Sequence, residues 1–371
     1  MTLVGIICEY NVFHSGHKRL FEHIREAIPD AAIISIMSGN FTQRGIAAAA
    51  DKYTRARAAL MCGSDVTLEL PLPYCCAVAP LFARGGVGLA ASLGCDVLAF
   101  GSECADGKML KKVSECLASG RFEEHFSRAL RAASPDESYI RVRERAYGEL
   151  YGKIALKPND TLAVEYLSCL AKTNLKPLVI ARKGEERATD ARAAFLKRDF
   201  DTLSRLVPGE LMPLYRECPA ALSDGYGGAL LFLLRTAEAE EMCTFSGINH
   251  DLAYRMKNTA LSCGTLDEFY LKCAAKNYTR ARVRRAVLAL ALGIRDGMFE
   301  SRPDCALVLS VSKKGREALN IMRERSEIPV YMRPSQVTGR LIYRSDALYS
   351  LALRPTCGAG QMMRSIPCIE K

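Results

Sequence analysis

Along the first two hundred residues, apolar and polar positions repeat one theme: a short β-branched run, then apolar residues every third or fourth position. The runs at residues 3–9, 32–37, 66–70, 97–100 and 178–181 predict strands, being short and bounded by turn residues. The periodic stretches between them, including 17–27 and 52–61, predict helices. Strands alternating with helices predict an α/β fold, a Rossmann-like parallel sheet covered on both faces. Ligands of such sheets sit outside the carboxyl ends of the strands, near the point where strand order reverses. Four runs lead into distinctive loops, at 8–16, 38–45, 71–76 and 101–104, so one site is expected from distant pieces of chain.

From about residue 199 the pattern becomes helical, without a convincing strand up to 293. After Pro303 a small unit follows, with strands at 307–311 and 330–332 around a helix at 314–324. A chain of 371 residues exceeds one usual compact domain. The expected division is 1–198 for the α/β domain, 199–300 for a helical domain and 301–371 for a small C-terminal α/β unit.

Composition narrows the class. Apolar residues make up 49% and charged residues 25%, a soluble globular balance. No stretch approaches the roughly 18 apolar residues of a membrane helix. The N-terminus lacks a basic region and carries Glu9, so no signal peptide and no membrane are expected, and the location is read as cytoplasmic. The 15 cysteines are scattered, odd in number and without a CxxC pair, which favours free thiols over disulfides or a metal site. A net charge of +10 points to a polyanionic partner.

The segment Gly5-Ile-Ile-Cys-Glu-Tyr-Asn-Val-Phe-His14-Ser-Gly-His17-Lys18 carries the chemistry. A strand ends in a polar turn and a helix starts near Gly16, which lets backbone approach a ligand. A helix N-terminus offers free N–H groups and a positive dipole end to phosphate. One histidine there reads as a loop residue. His14 and His17, bracketing a glycine, read as a pair of donors to phosphate oxygens as charge builds, with Lys18 adding charge.

A second feature lies at residues 269–295, with seven Lys/Arg (Lys272, Lys276, Arg280, Arg282, Arg284, Arg285, Arg295) and no acidic residue. Arg280 and Arg284 share one helix face, Arg282 and Arg285 a neighbouring one, and Tyr278 offers a stacking surface. Single-sign density on a helix suits a nucleic-acid backbone. Asn40, Gln43, Arg44, Lys52 and Arg55 form a further polar cluster; Lys52 and Arg55 face either an anion or solvent.

The His14-Ser-Gly-His17 tetrapeptide resembles the signature of the HIGH-motif nucleotidyltransferase superfamily. Taken with Met37-Ser-Gly-Asn-Phe, Gln43-Arg44-Gly45, Asp65 to Pro71, Phe100-Gly-Ser-Glu103, Lys157-Pro-Asn159, Ile180 to Arg182 and Asn277 to Arg284, the order resembles the tRNA(Met) cytidine acetate ligase family. That resemblance implies attack of acetate on the α-phosphate of ATP, then acetyl transfer to N4 of the wobble cytidine of elongator tRNA(Met). It implies His14, His17 and Lys18 as catalytic, and ATP contacts at Ile7, Cys8, Glu9, Tyr10, Asn11, Phe13, His14, Gly16, His17, Leu20, Gly101, Asn159 and Arg182. Thr189 and Arg192 resemble the family's second phosphate element, Thr189 as helix cap and Arg192 on pyrophosphate, although an ordinary capped helix has the same pattern. Lys276, Arg280, Arg282, Arg284 and Arg285 would meet the tRNA. ATP is substrate, and Mg2+ is expected with its phosphates. Val12 stands where the family usually has proline, Asp160 where asparagine is common, and the loop 183–187 is short. Two other readings share the fold: a small-molecule nucleotidyltransferase, and a non-catalytic RNA-binding protein.

Overall fold

The computed structural model describes every residue except 135, 136, 138, 153–155, 183–187, 338 and 371. The chain opens with β1 (Thr2–Cys8), α1 (Ser15–Ala27), β2 (Ala31–Ser38), α2 (Lys52–Met61), β3 (Val66–Leu70), α3 (Ala79–Ser92) and β4 (Val97–Ser102). Helices α4 (Gly107–Leu117), α5 (Gly120–Arg131), α6 (Tyr139–Tyr151) and α7 (Pro158–Leu170) precede β5 (Lys176–Ala181) and α8 (Ala188–Leu196). Five parallel strands thus form where short apolar runs predict them. Their order, β3-β2-β1-β4-β5, reverses direction between β1 and β4.

Alternation along each strand divides the core. On β2, Ala32, Ile34 and Ile36 face the cluster that holds Val87 and Leu89 of α3 and Ala163 of α7. Ala31, Ile33 and Met37 face the opposite cluster, with Phe21 and Ile24 of α1 and Ala56 and Ala59 of α2. Both faces are covered, as a parallel sheet requires.

Helices α9 (Phe200–Leu206) and α10 (Met212–Glu217) also belong to this second cluster, through Leu203 and Tyr215. The helical layer proper therefore begins later than residue 199, after β6 (Ala220–Ala221), at α11 (Asp224–Thr236). It continues through α12 (Ala239–Met242), α13 (His250–Leu261), α14 (Leu266–Cys273) and α15 (Arg280–Leu292).

The last seventy residues depart from the expected separate unit. They form β7 (Ala306–Val311), α16 (Lys313–Arg325), β8 (Val330–Tyr331), α17 (Arg340–Ala352), β9 (Leu353–Arg354), α18 (Ala359–Met363) and β10 (Cys368–Ile369). All six residues of β7 are buried, and β7 runs antiparallel to β3, with β8 and β10 beside it. Without β7, the edge of β3 would present unpaired N–H and C=O groups, and β7 pairs them while burying its five apolar residues. α17 packs against α11 and α15, and β9 pairs with β6, so the C-terminal segment ties the sheet to the helical layer.

Candidate active site

A cavity of about 490 Å³ opens at the carboxyl ends of β1, β4 and β5, where strand order reverses. Every ATP contact expected from the sequence lines it except Phe13, whose ring is buried 5.7 Å from Phe21 and 5.2 Å from His17. Lys18 also stays out of the wall. It points to Glu210, with Nζ 2.5 Å from Oε1. Gly101 lies inside β4, paired with Ile180, and has no heavy atom within 4 Å of where a Cβ would stand, so the backbone there is open to a ligand.

His14 is the N-cap of α1, in extended conformation with φ −132°. Its Nδ1 accepts the N–H of Gly16 at 3.1 Å, and Nδ1 of His17 accepts the N–H of His14 at 3.2 Å. The rings lie 3.8 Å apart, centroid to centroid. With Nδ1 an acceptor, the proton of each neutral ring sits on Nε2, so Nε2 is a donor. Burial, then the electrostatic influence of the His14 ring and of Arg182, holds the His17 pKa well below the usual range, which keeps that ring neutral. The first turn of α1 contains no acidic residue, leaving its dipole end for an anion.

Across the cavity, Asn159 opens α7. Its Nδ2 donates to Glu103 Oε1 at 2.6 Å, and Glu103 Oε2 takes the N–H of Asp160 at 3.2 Å. The Asp160 carboxylate accepts Ser102 Oγ at 2.6 Å and the N–H groups of Glu103 and Cys104 at 2.9 and 3.1 Å. Burial pushes its pKa up, but these bonds outweigh it and bring it below the usual value. The aspartate that departs from the family pattern thus clamps the end of β4 to α7 and holds Asn159 in the wall.

Arg182, Thr189 and Arg192 reach the cavity from β5 and α8. Thr189 lies inside the first turn of α8 rather than capping it, since the helix already includes Ala188. The short loop 183–187 lies outside the described residues. Burial, then Arg44, lowers the Arg192 pKa, with Arg284 acting in the same direction and Glu9 against it. Gln43 and Arg44 of the polar cluster belong to this wall, as do Glu103, quoted above only as part of a motif, and Arg19 and Tyr166.

Lys52 and Arg55 face neither a bound ligand nor solvent, because both are fully buried and serve partners within the protein. Arg55 donates to the carbonyls of Ala50 at 2.9 Å, Glu9 at 2.6 Å, Ser38 at 3.1 Å and Gly39. It fastens the ends of β1 and β2 together. Lys52 Nζ pairs with Glu69 at 3.0 Å and Asp346 at 3.3 Å, and Asn40 donates to Asp346 at 2.8 Å.

The basic tract divides. Lys272 pairs with Glu268 at 2.7 Å, just outside the acid-free stretch. Lys276 and Arg280 are exposed, and Arg282 lies 4.9 Å over the ring of Tyr278. Arg284 lies 5.2 Å over Tyr270, while Arg285 donates to the carbonyl of Gln43 at 3.2 Å. The last two turn toward the cavity loop. Gly45 makes that contact possible: its φ is +70°, and a Cβ there would fall 2.6 Å from Arg285 N.

Residues 1–363 match the HIGH Nucleotidyl Transferase family. A tRNA(Met) cytidine acetate ligase of Ligilactobacillus salivarius is 31% identical, covering 93% of this chain and 94% of its own. The chain belongs to the tRNA(Met) cytidine acetate ligase family of HIGH nucleotidyl transferases. Another family member, from Halothermothrix orenii, is 31% identical over 89% of this chain and 86% of its own. The crystal structure of Thermotoga maritima TmcAL bound with alpha-thio ATP superposes with a TM-score of 0.89 at 25% identity, covering 100% of this chain and 99% of that one.

For this family member, the described residues do not form a cage for Mg2+. Among the described residues no three His, Cys, Asp or Glu cluster as metal ligands. Both Glu103 oxygens are engaged, and Glu9 stands beside Arg44 and Arg192. Among the described residues, no helix is long and apolar enough to cross a membrane.

Proposed function

We propose that this chain activates acetate with ATP and acetylates N4 of the wobble cytidine of elongator tRNA(Met). The observation that carries the reading is the pair of imidazoles, each with Nδ1 held by backbone, at the N-terminus of α1 inside a cavity at the strand-order reversal. An acetate oxygen attacks the α-phosphorus as the bond to the β-phosphate oxygen breaks. His14 and His17 donate from Nε2 to the non-bridging oxygens, where charge grows. Arg182 and Arg192 receive the departing pyrophosphate, and Gly101 and Asn159 bound the nucleoside. Any Mg2+ would be held by oxygens of the triphosphate itself and would screen and orient them. In the second step the cytosine amine attacks the acetyl carbonyl and AMP leaves. Exposed Lys276 and Arg280, with half-buried Arg282 beside them, present charge for the tRNA backbone.

Incubation with radiolabelled acetate, ATP with Mg2+, and tRNA tests the reading. Label in tRNA at a cytidine is expected. No acetate-dependent product would sink it, and acetyl-adenylate without transfer would sink the tRNA assignment alone.

A further inference from the structure

The transfer step releases a proton, and few wall groups can take it. The amine of cytosine carries two hydrogens and becomes an amide with one. Both imidazoles accept backbone N–H groups at Nδ1, which makes Nε2 a donor rather than a base. Tyr10 bonds Ser35, and the Cys8 thiol, raised far by burial, bonds the carbonyl of Ile36. Both Glu103 oxygens are taken. Glu9 remains. Its Oε1 accepts the N–H of Gln43 at 2.6 Å, and among the described residues no hydrogen bond reaches Oε2.

Its place in the fold matches the task. Glu9 ends the strand that leads into His14 and His17, and it grips the loop on which Arg284 and Arg285 rest. It therefore stands between the phosphate-handling turn and the basic helix. Resting on the functional reading above, we propose that Glu9 is the general base of acetyl transfer. Its carboxylate takes one N4 hydrogen as the nitrogen bonds to the acetyl carbon. The electron pair of the breaking bond leaves with the AMP phosphate, and the proton passes to solvent. Burial raises the basicity of the carboxylate, while Arg55 from α2, Arg44 from the loop and Arg192 from α8 oppose that rise. Cys8, Cys76 and Tyr166 complete the titratable groups around it.

Glu9→Gln keeps an acceptor for the N–H of Gln43 and removes the base. Two rates are read: acetate-dependent ATP–pyrophosphate exchange, and single-turnover transfer from preformed acetyl-adenylate to tRNA(Met). The ratio of transfer to exchange is expected to fall about a hundredfold or more, the range of a lost general base. The wild-type transfer rate should rise with pH through one ionisation that the variant lacks. Equal loss of both rates, or an unchanged ratio, overturns the inference. So does loss of transfer in His23→Asn rather than in Glu9→Gln, because His23 also lines the cavity and its Nδ1 lies 2.7 Å from the carbonyl of Arg19. Absence of exchange and transfer in the wild type would instead overturn the functional reading, and this inference with it.

Discussion

The two histidines are the residues where local capping and the proposed catalysis coincide. His17→Ala removes both the acceptor for the N–H of His14 and the Nε2 donor, so the two roles must be separated. His17→Asn can keep the acceptor near Nδ1 but has no donor at the reach of Nε2. Both variants are expected to lose about 10²–10³-fold in acetate-dependent exchange, the cost of one oxyanion donor. Recovery of exchange in the asparagine variant would show that the ring matters only as a cap. Because the His17 pKa is held well below its usual value, its protonation should add no limb to the exchange rate between pH 6 and 8. This pair was legible in the sequence because a strand, a turn glycine and a helix start lie within a dozen residues. Lys18 was not legible as a partner of Glu210, which lies 192 positions away. Nor did the pattern separate Phe13, whose ring packs into the core, from its neighbours on the wall.

At the scale of elements, the cavity depends on how loops are fastened to strands and helices. Arg55 is the fastening for β1 and β2, and charge spacing on α2 suggested a ligand face because the carbonyls it serves lie after β1, at the end of β2 and in the loop before α2, which spacing along one helix does not show. Arg55→Met should cost about 3 kcal/mol or more, since it leaves buried carbonyls without donors. Urea denaturation measures this, and a loss under 1 kcal/mol would refute the clamp. Arg55→Lys should restore little, because one ammonium cannot reproduce the planar fork. The contact between the cavity loop and α15 gives a second case. Gly45→Ala meets a positive φ and the backbone of Arg284 and Arg285, so it should push the helix away from the loop. Weaker tRNA binding is expected, with an altered exchange rate, because Gln43 contacts both Glu9 and Arg285. The basic tract makes the same distinction. Arg280→Ala with Arg282→Ala should reduce tRNA affinity and flatten its salt dependence more than it slows exchange. Arg285→Ala should affect both. Filter binding across a salt series, with exchange measured in parallel, distinguishes them.

For the molecule as a whole, the alternation of strands and helices was sufficient to place the parallel sheet and its ligand-bearing edge. It was insufficient to place residues 301–371, because an antiparallel strand such as β7 has the same apolar run whether it joins a distant sheet or starts a separate one. The joint that commits this segment is buried and ionic. Asp346 of α17 meets Lys52 of α2, which also pairs with Glu69 of β3, and Asn40 bridges the group. Two carboxylates thus share one ammonium, with Tyr53 beside them. Burial drives the Asp346 carboxyl up to about 6, with Lys52 pulling it down and Glu69 pushing it up. An unfolded aspartate titrates near about 4. Between those values the folded chain binds more protons than the unfolded one, so this group's contribution to stability is full below about pH 4 and declines as pH rises through about 6. Asp346→Asn removes that contribution and keeps a partner for Asn40. Melting temperatures of variant and wild type, compared from pH 4 to pH 8, should show the variant gaining on the wild type as pH rises to about 6, then a constant difference. A difference that does not change with pH would mean that Asp346 is ionised throughout, and the joint would then be an ordinary buried ion pair rather than one that loosens as its second carboxylate loses its proton.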